Sequence, residues 1–149
     1  MPLADDAGKG IDVLVVEDSR VQAAAVRLSL LQKEFVVRIA ENGAEGLAMM
    51  KEQRPDVVIS DVEMPEMNGY ELCAAIKANP RLKDTPVILL TALGDPEDIL
   101  KGLEVKADIN YLTKPWDDEL LYARVQQVLA LDNARHRYDK VSAQNLSSR

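Results

Sequence analysis

The sequence has 149 residues, 47% of them hydrophobic, with 25 acidic side chains against 18 basic ones and a formal net charge of −7. That length suits one domain, because two cores in so short a chain would each be marginal, and the apolar content excludes wholesale disorder. The acidic balance excludes a general binder of nucleic-acid backbone, which needs a basic footprint, and leaves room for a local cluster of carboxylates.

Other classes close quickly. A lone cysteine, Cys73, forms neither an internal disulfide nor a multi-thiolate metal site, and a lone histidine, His136, argues against a His-rich zinc site or a Ser-His-Asp triad. No apolar run approaches the ~18 residues that span a bilayer, and Met1 to Gly10 lacks the apolar stretch of a signal peptide. An intracellular, cytoplasmic protein with no direct membrane contact is expected.

In chain order, the first strand is predicted at Asp12-Val13-Leu14-Val15-Val16. A helix follows from Val21 to Leu31, with Ser19 as N-cap and apolar residues at Val21, Ala25, Leu28 and Leu31. The second strand is Phe35 to Ile39, and Asn42-Gly43 opens a second helix over Ala44 to Glu52. The third strand is Val57-Val58-Ile59, followed by a helix from Tyr70 to Ala78 that Pro80 stops. The fourth strand is Val87 to Leu90, and Asp95-Pro96 opens a fourth helix with Ile99, Leu100 and Leu103 facing inward. The fifth strand is Asn110-Tyr111-Leu112, and the fifth helix runs from near Trp116 through Leu121, Val125 and Leu129. Continuous β-branched runs without polar alternation mark strands buried on both faces. Five strand-helix repeats predict a doubly wound α/β sheet with helices on both sides. The chain divides into a flexible segment over 1–10, a domain over 11–131 and a helical extension or tail over 132–149, with fraying expected from Gln144 to Arg149.

Functional groups of an open parallel sheet gather beyond the carboxyl ends of its strands. Glu17-Asp18 follow the first strand, Ser60-Asp61 the third, Thr91-Ala92 the fourth and Thr113-Lys114-Pro115 the fifth. Three carboxylates, a hydroxyl and an ammonium therefore converge on one edge. Carboxylates so close repel unless a cation intervenes, and their hard oxygens suit Mg²⁺. Carboxylate, Mg²⁺, lysine and hydroxyl together suit phosphoryl transfer to a carboxylate. A single Asp or Ser at a strand end is more often a helix cap, but five such groups aligned on the strand ends are poorly explained that way.

Over roughly Ile11 to Leu131 the chain resembles the receiver domain of bacterial two-component response regulators, the family of the chemotaxis response regulator. Asp61-Val62-Glu63-Met64-Pro65-Glu66-Met67-Asn68-Gly69 matches the family's D-x-x-M-P-x-M-[DN]-G, and Glu17-Asp18, Thr91-Ala92 and Tyr111-Leu112-Thr113-Lys114-Pro115 match in order. The resemblance implies a flavodoxin-like fold with strand order 2-1-3-4-5 and five helices. It implies Asp61 as phosphoacceptor, taking phosphate from a sensor histidine kinase or phosphotransfer protein, with Mg²⁺ held by Glu17, Asp18, Asp61 and the carbonyl of Glu63. Lys114 would pair with Asp61 and then with a phosphoryl oxygen, ahead of a cis bond to Pro115. Thr91 would turn to the phosphoryl group and Tyr111 would move inward behind it. Ala92 would leave room, and Gly69 would open the third helix. Such a chain is a signalling switch rather than an enzyme with a substrate, catalysing only its own phosphorylation and dephosphorylation. It would act on a downstream effector or a fused output domain, or pair with a second copy, through the face of the fourth helix, fifth strand and fifth helix.

Lys106 stands where the family has glycine, and the segment before Tyr111 is one residue longer, so a reshaped loop is expected there. Rival readings fit less well. A haloacid-dehalogenase-like phosphatase starts with D-x-D after its first strand. A metal-dependent nucleic-acid enzyme sits badly with the acidic balance, Thr91 and Lys114. A flavin module needs a phosphate loop where Glu17-Asp18 stand, and a degenerate receiver would have lost residues that are all present. Cys73 reads as buried packing, and Asp117-Asp118-Glu119 as the acidic first turn of a helix.

Overall fold

The computed structural model describes residues 10–31, 33, 35–92 and 109–147. Five strands, β1 (Asp12–Val16), β2 (Val36–Ala40), β3 (Val57–Asp61), β4 (Val87–Thr91) and β5 (Ile109–Thr113), form one sheet in the order β2-β1-β3-β4-β5. All four pairings are parallel. Among the described residues four helices accompany them: α1 (Arg20–Leu31), α2 (Gly43–Glu52), α3 (Gly69–Ala78) and α4 (Asp118–Ser147). The sheet and its order are those expected. The helix predicted from Asp95-Pro96, with Ile99, Leu100 and Leu103, and the reshaped loop around Lys106 lie outside the described residues.

Side chains alternate between the two faces of each strand, and both faces are covered. Leu14, Val16, Val58, Val87 and Leu89 pack with Met50 of α2 and with Leu72, Cys73 and Ile76 of α3. Val13, Val15, Val57, Ile59, Ile88 and Leu90 pack on the other face with Val26 and Leu30 of α1 and Leu121, Val125 and Val128 of α4. β1, β3 and β4 are buried throughout, whereas β2, at the sheet edge, begins with the exposed Val36.

Local chemistry sets the helix boundaries. Asn42 caps α2 by accepting from the Glu45 backbone N–H, and Asn68 and Glu71 form a reciprocal capping box on α3. α4 begins at Asp118, later than the expected Trp116, because the Asp117 side chain accepts from the Glu119 N–H and starts the helix there. It stays helical through Ser147, so the fraying expected from Gln144 is not seen before that residue; neither glycine nor proline follows Pro115 to break it. The face of α1 also differs from expectation. Val21, Leu28 and Leu31 are exposed, and Ala23, Val26, Ser29 and Leu30 are the residues turned inward. No helix among the described residues is long and apolar enough to cross a membrane.

Candidate functional site

The strand order places β1 beside β3, with Val16 opposite Ser60, so the residues that follow meet at the carboxyl edge. Glu17, Asp18 and Asp61 each offer a carboxylate oxygen, and these oxygens all lie within 4.8 Å of one another. Glu17 and Asp61 are buried and Asp18 is exposed. From the other side, β5 is followed directly by Lys114, whose backbone N–H donates to the Thr91 carbonyl at 2.8 Å and fixes where its side chain starts. The ammonium then donates to Asp61 Oδ1 at 2.9 Å and to Gln22 Oε1 of α1 at 2.7 Å. The Lys114-Pro115 peptide bond is cis, as expected.

Glu17 carries the electrostatic signature of the site. Burial pushes its carboxyl from an ordinary 4.5 up to about 7. The Ser19 backbone N–H, donating to Oε1 at 3.1 Å, works against that rise, the Asp61 charge adds to it, Lys114 opposes it, and Asp18 adds again. Its second oxygen, Oε2, is buried with no hydrogen-bond partner. A buried carboxylate oxygen without a donor is costly, and a cation bound among the three acids would supply its missing partner. These oxygens are the hard donors that a divalent cation such as Mg²⁺ prefers, so the residues present fit one.

The remaining expected residues surround this centre without all joining it. Thr91 is buried at the end of β4, with its hydroxyl turned to the Ala92 carbonyl at 3.2 Å rather than to Asp61. Ala92 and Glu63 are exposed. Tyr111 is half-buried against the first core cluster, and its carbonyl accepts from Arg124 of α4 at 2.8 Å. Gly69 lies against the back of the site. Any Cβ there would fall on the Asp61 carbonyl oxygen, with the Val62 Cα at 2.9 Å, so the first residue of α3 has no room for a side chain. The long motif thus divides by role. Asp61 faces the site, and Asn68-Gly69 start α3 in close contact with the Asp61 backbone.

Gln22 was not anticipated. Its partner Lys114 is 92 positions away, and nothing in the local pattern announces the contact.

A family model for the response regulator receiver domain matches residues 13–126. The chain is 39% identical over 117 residues to the transcriptional regulatory protein AfsQ1 of Streptomyces coelicolor, an alignment covering 78% of this chain and 50% of that one. It is 36% identical over 129 residues to the response regulator PleD of Caulobacter vibrioides, covering 84% of this chain and 28% of that one. It thus spans half or less of the length of these curated relatives. Among solved structures, the receiver domain of a signal transduction histidine kinase from Syntrophus aciditrophicus superposes with a TM-score of 0.74 at 42% identity, covering 80% of this chain and 89% of that one.

Proposed function

Because the chain belongs to the response regulator receiver domain family and is therefore a signalling module of two-component systems, we propose that Asp61 is its phosphoacceptor, charged by the phosphohistidine of a sensor histidine kinase or phosphotransfer protein. The observation that carries this reading is the meeting of three carboxylates with the Lys114 ammonium, 2.9 Å from Asp61. An oxygen of the Asp61 carboxylate attacks phosphorus, the bond from phosphorus to the donor's imidazole nitrogen breaks, and the electron pair leaves with the imidazole. Glu17, Asp18, Asp61 and the Glu63 carbonyl would hold Mg²⁺, which when bound neutralises phosphoryl oxygens.

The rest of the step would fall to Lys114, Thr91 and Tyr111. Lys114 exchanges its bond to Asp61 Oδ1 for one to a phosphoryl oxygen. The Thr91 hydroxyl, now on the Ala92 carbonyl, swings to the new acceptor, and Tyr111 follows inward. Exposed Ala92 leaves that approach open, and Pro115 carries the chain from Lys114 into Trp116 and α4. The surface formed by β5 and α4 is the readout, and its balance between two conformations shifts on phosphorylation. Its users would be an effector protein, an output domain or a second copy, with no direct nucleic-acid contact by this domain.

Mass spectrometry after acetyl phosphate with Mg²⁺ tests the reading. The wild-type chain gains one phosphoryl group, and Asp61→Asn does not. Beryllofluoride with Mg²⁺ perturbs the fluorescence of Trp116, the only tryptophan, in the wild type alone. An unchanged mass and unchanged fluorescence in the wild type would remove the proposal.

A further inference from the structure

We propose that Gln22 is a positioning residue of the phosphorylation site, holding the Lys114 ammonium between Asp61 and α1 so that it is already placed for a phosphoryl oxygen. This rests on the phosphoacceptor reading of Asp61.

Ser19-Arg20-Val21-Gln22 has the S-x-x-Q form of a capping box, in which the glutamine side chain ordinarily turns back to accept from the serine backbone N–H. Half of that box is present, since the Gln22 backbone N–H donates to Ser19 Oγ at 3.3 Å. The other half is occupied differently, because the Ser19 N–H donates to Glu17 Oε1 at 3.1 Å. Glu17 thereby relieves Gln22 of its usual duty, and the freed Oε1 accepts from Lys114 at 2.7 Å. One acid of the site thus releases the group that restrains the site's cation.

The chemistry of the restraint matters as much as its geometry. An ammonium has three N–H donors, and here Asp61 and Gln22 hold two of them in fixed directions. A lysine side chain is otherwise rich in rotamers, so a second anchor lowers the entropy lost when it engages an incoming anion. The anchor is also neutral. A carboxylate at position 22 would hold Lys114 as well, but it would add a fourth negative charge beside Glu17, Asp18 and Asp61 and repel the phosphoryl group. An amide oxygen restrains the cation without cancelling its charge.

The test uses the full chain, with beryllofluoride as the phosphoryl probe and Trp116 fluorescence as the signal. At saturating Mg²⁺, Gln22→Met binds beryllofluoride about fivefold to tenfold more weakly than wild type, the loss expected for one charge-assisted hydrogen bond. Gln22→Ala shows the same loss. The affinity for Mg²⁺ alone stays within about twofold of wild type, because Gln22 bonds to none of the acids. In ¹⁵N NMR the Lys114 ammonium protons, slowed in exchange in the wild type, exchange rapidly in both variants. Unchanged beryllofluoride affinity overturns the proposal. So does an equal loss of Mg²⁺ affinity, which would mark a general distortion of the α1 start, and so does an unaltered Lys114 ammonium signal. A wild-type chain that binds no beryllofluoride would instead remove the phosphoacceptor reading itself.

Discussion

Glu17 shows how the burial of one side chain ties folding to its protonation. Its carboxyl titrates near 7 in the folded chain against an ordinary 4.5, so between those values the folded protein keeps a proton that the unfolded chain has released. The metal-free protein therefore loses stability as pH rises through that window. A cation bound among the three acids would compete with the proton for the same oxygens. Apparent Mg²⁺ affinity is expected to fall by about tenfold per pH unit below 7, and Glu17→Gln is expected to abolish that dependence, as read by Trp116 fluorescence from pH 5 to 8. Gly69 makes a steric prediction. Gly69→Ala drives a methyl group into the Asp61 carbonyl and the Val62 Cα, and backbone atoms there have nowhere to retreat. A loss of about 3 kcal/mol in urea unfolding is expected, together with weakened beryllofluoride binding. The meeting of Glu17, Asp18, Asp61 and Lys114 was legible in the sequence because strand ends are easy to find and a parallel sheet sends them all to one edge. Gln22 was not, since its role depends on Glu17 taking the Ser19 N–H and on a lysine brought close only by the fold.

The secondary-structure elements repeat the lesson with helical phase and edge bracing. The strands were found within one or two residues because buried β-branched runs are contiguous. The inward face of α1 was harder to read, because small residues make up half of it. Ala23 and Ser29 pack inward, Ser29 bonding to the Ala25 carbonyl and to Asp118 of α4, while Val21 and Leu28 face water. Apolar periodicity alone points such a helix the wrong way when alanine and a hydrogen-bonded serine stand beside Val26 and Leu30 in its packing surface. At the opposite end of β1 from the site, Asp12 accepts two bonds from Arg38 of β2, at 2.9 and 2.7 Å, and a third from Gln53 at 3.1 Å. Both charged side chains are largely buried, so removing one leaves the other poorly solvated. Arg38→Leu is expected to cost about 2 kcal/mol in urea unfolding, with no change in beryllofluoride affinity, since roughly 16 Å of strand separates the pair from Glu17.

For the entire chain, stability and signalling state are linked by mass action. Ligands that bind only the folded site stabilise it, and beryllofluoride at one hundred times its dissociation constant contributes about 2.7 kcal/mol. In a chain of this length that corresponds to a rise in Tm of roughly 5–10 °C with Mg²⁺ present, and Asp61→Asn is expected to show none of the beryllofluoride-dependent part. A thermal melt thus reads occupancy of the site without any knowledge of what the protein controls. The net charge of −7, at first only a property of composition, has an internal geography, since three of its contributors face one another at a single sheet edge.

The longest element has a mechanical consequence. α4 is 30 residues of unbroken helix, a rod of about 45 Å. Leu121, Val125 and Val128 seat its first turns on the sheet, and Arg124 ties it to the backbone of Tyr111. A rod pivoting at its seated end magnifies what happens there. A tilt of about 5°, too small to disturb the packing of a few side chains, sweeps the Ser147 end through about 4 Å over such a length. Whatever lies beyond that end would experience a sub-ångström adjustment behind Lys114 as a displacement comparable to the width of a side chain.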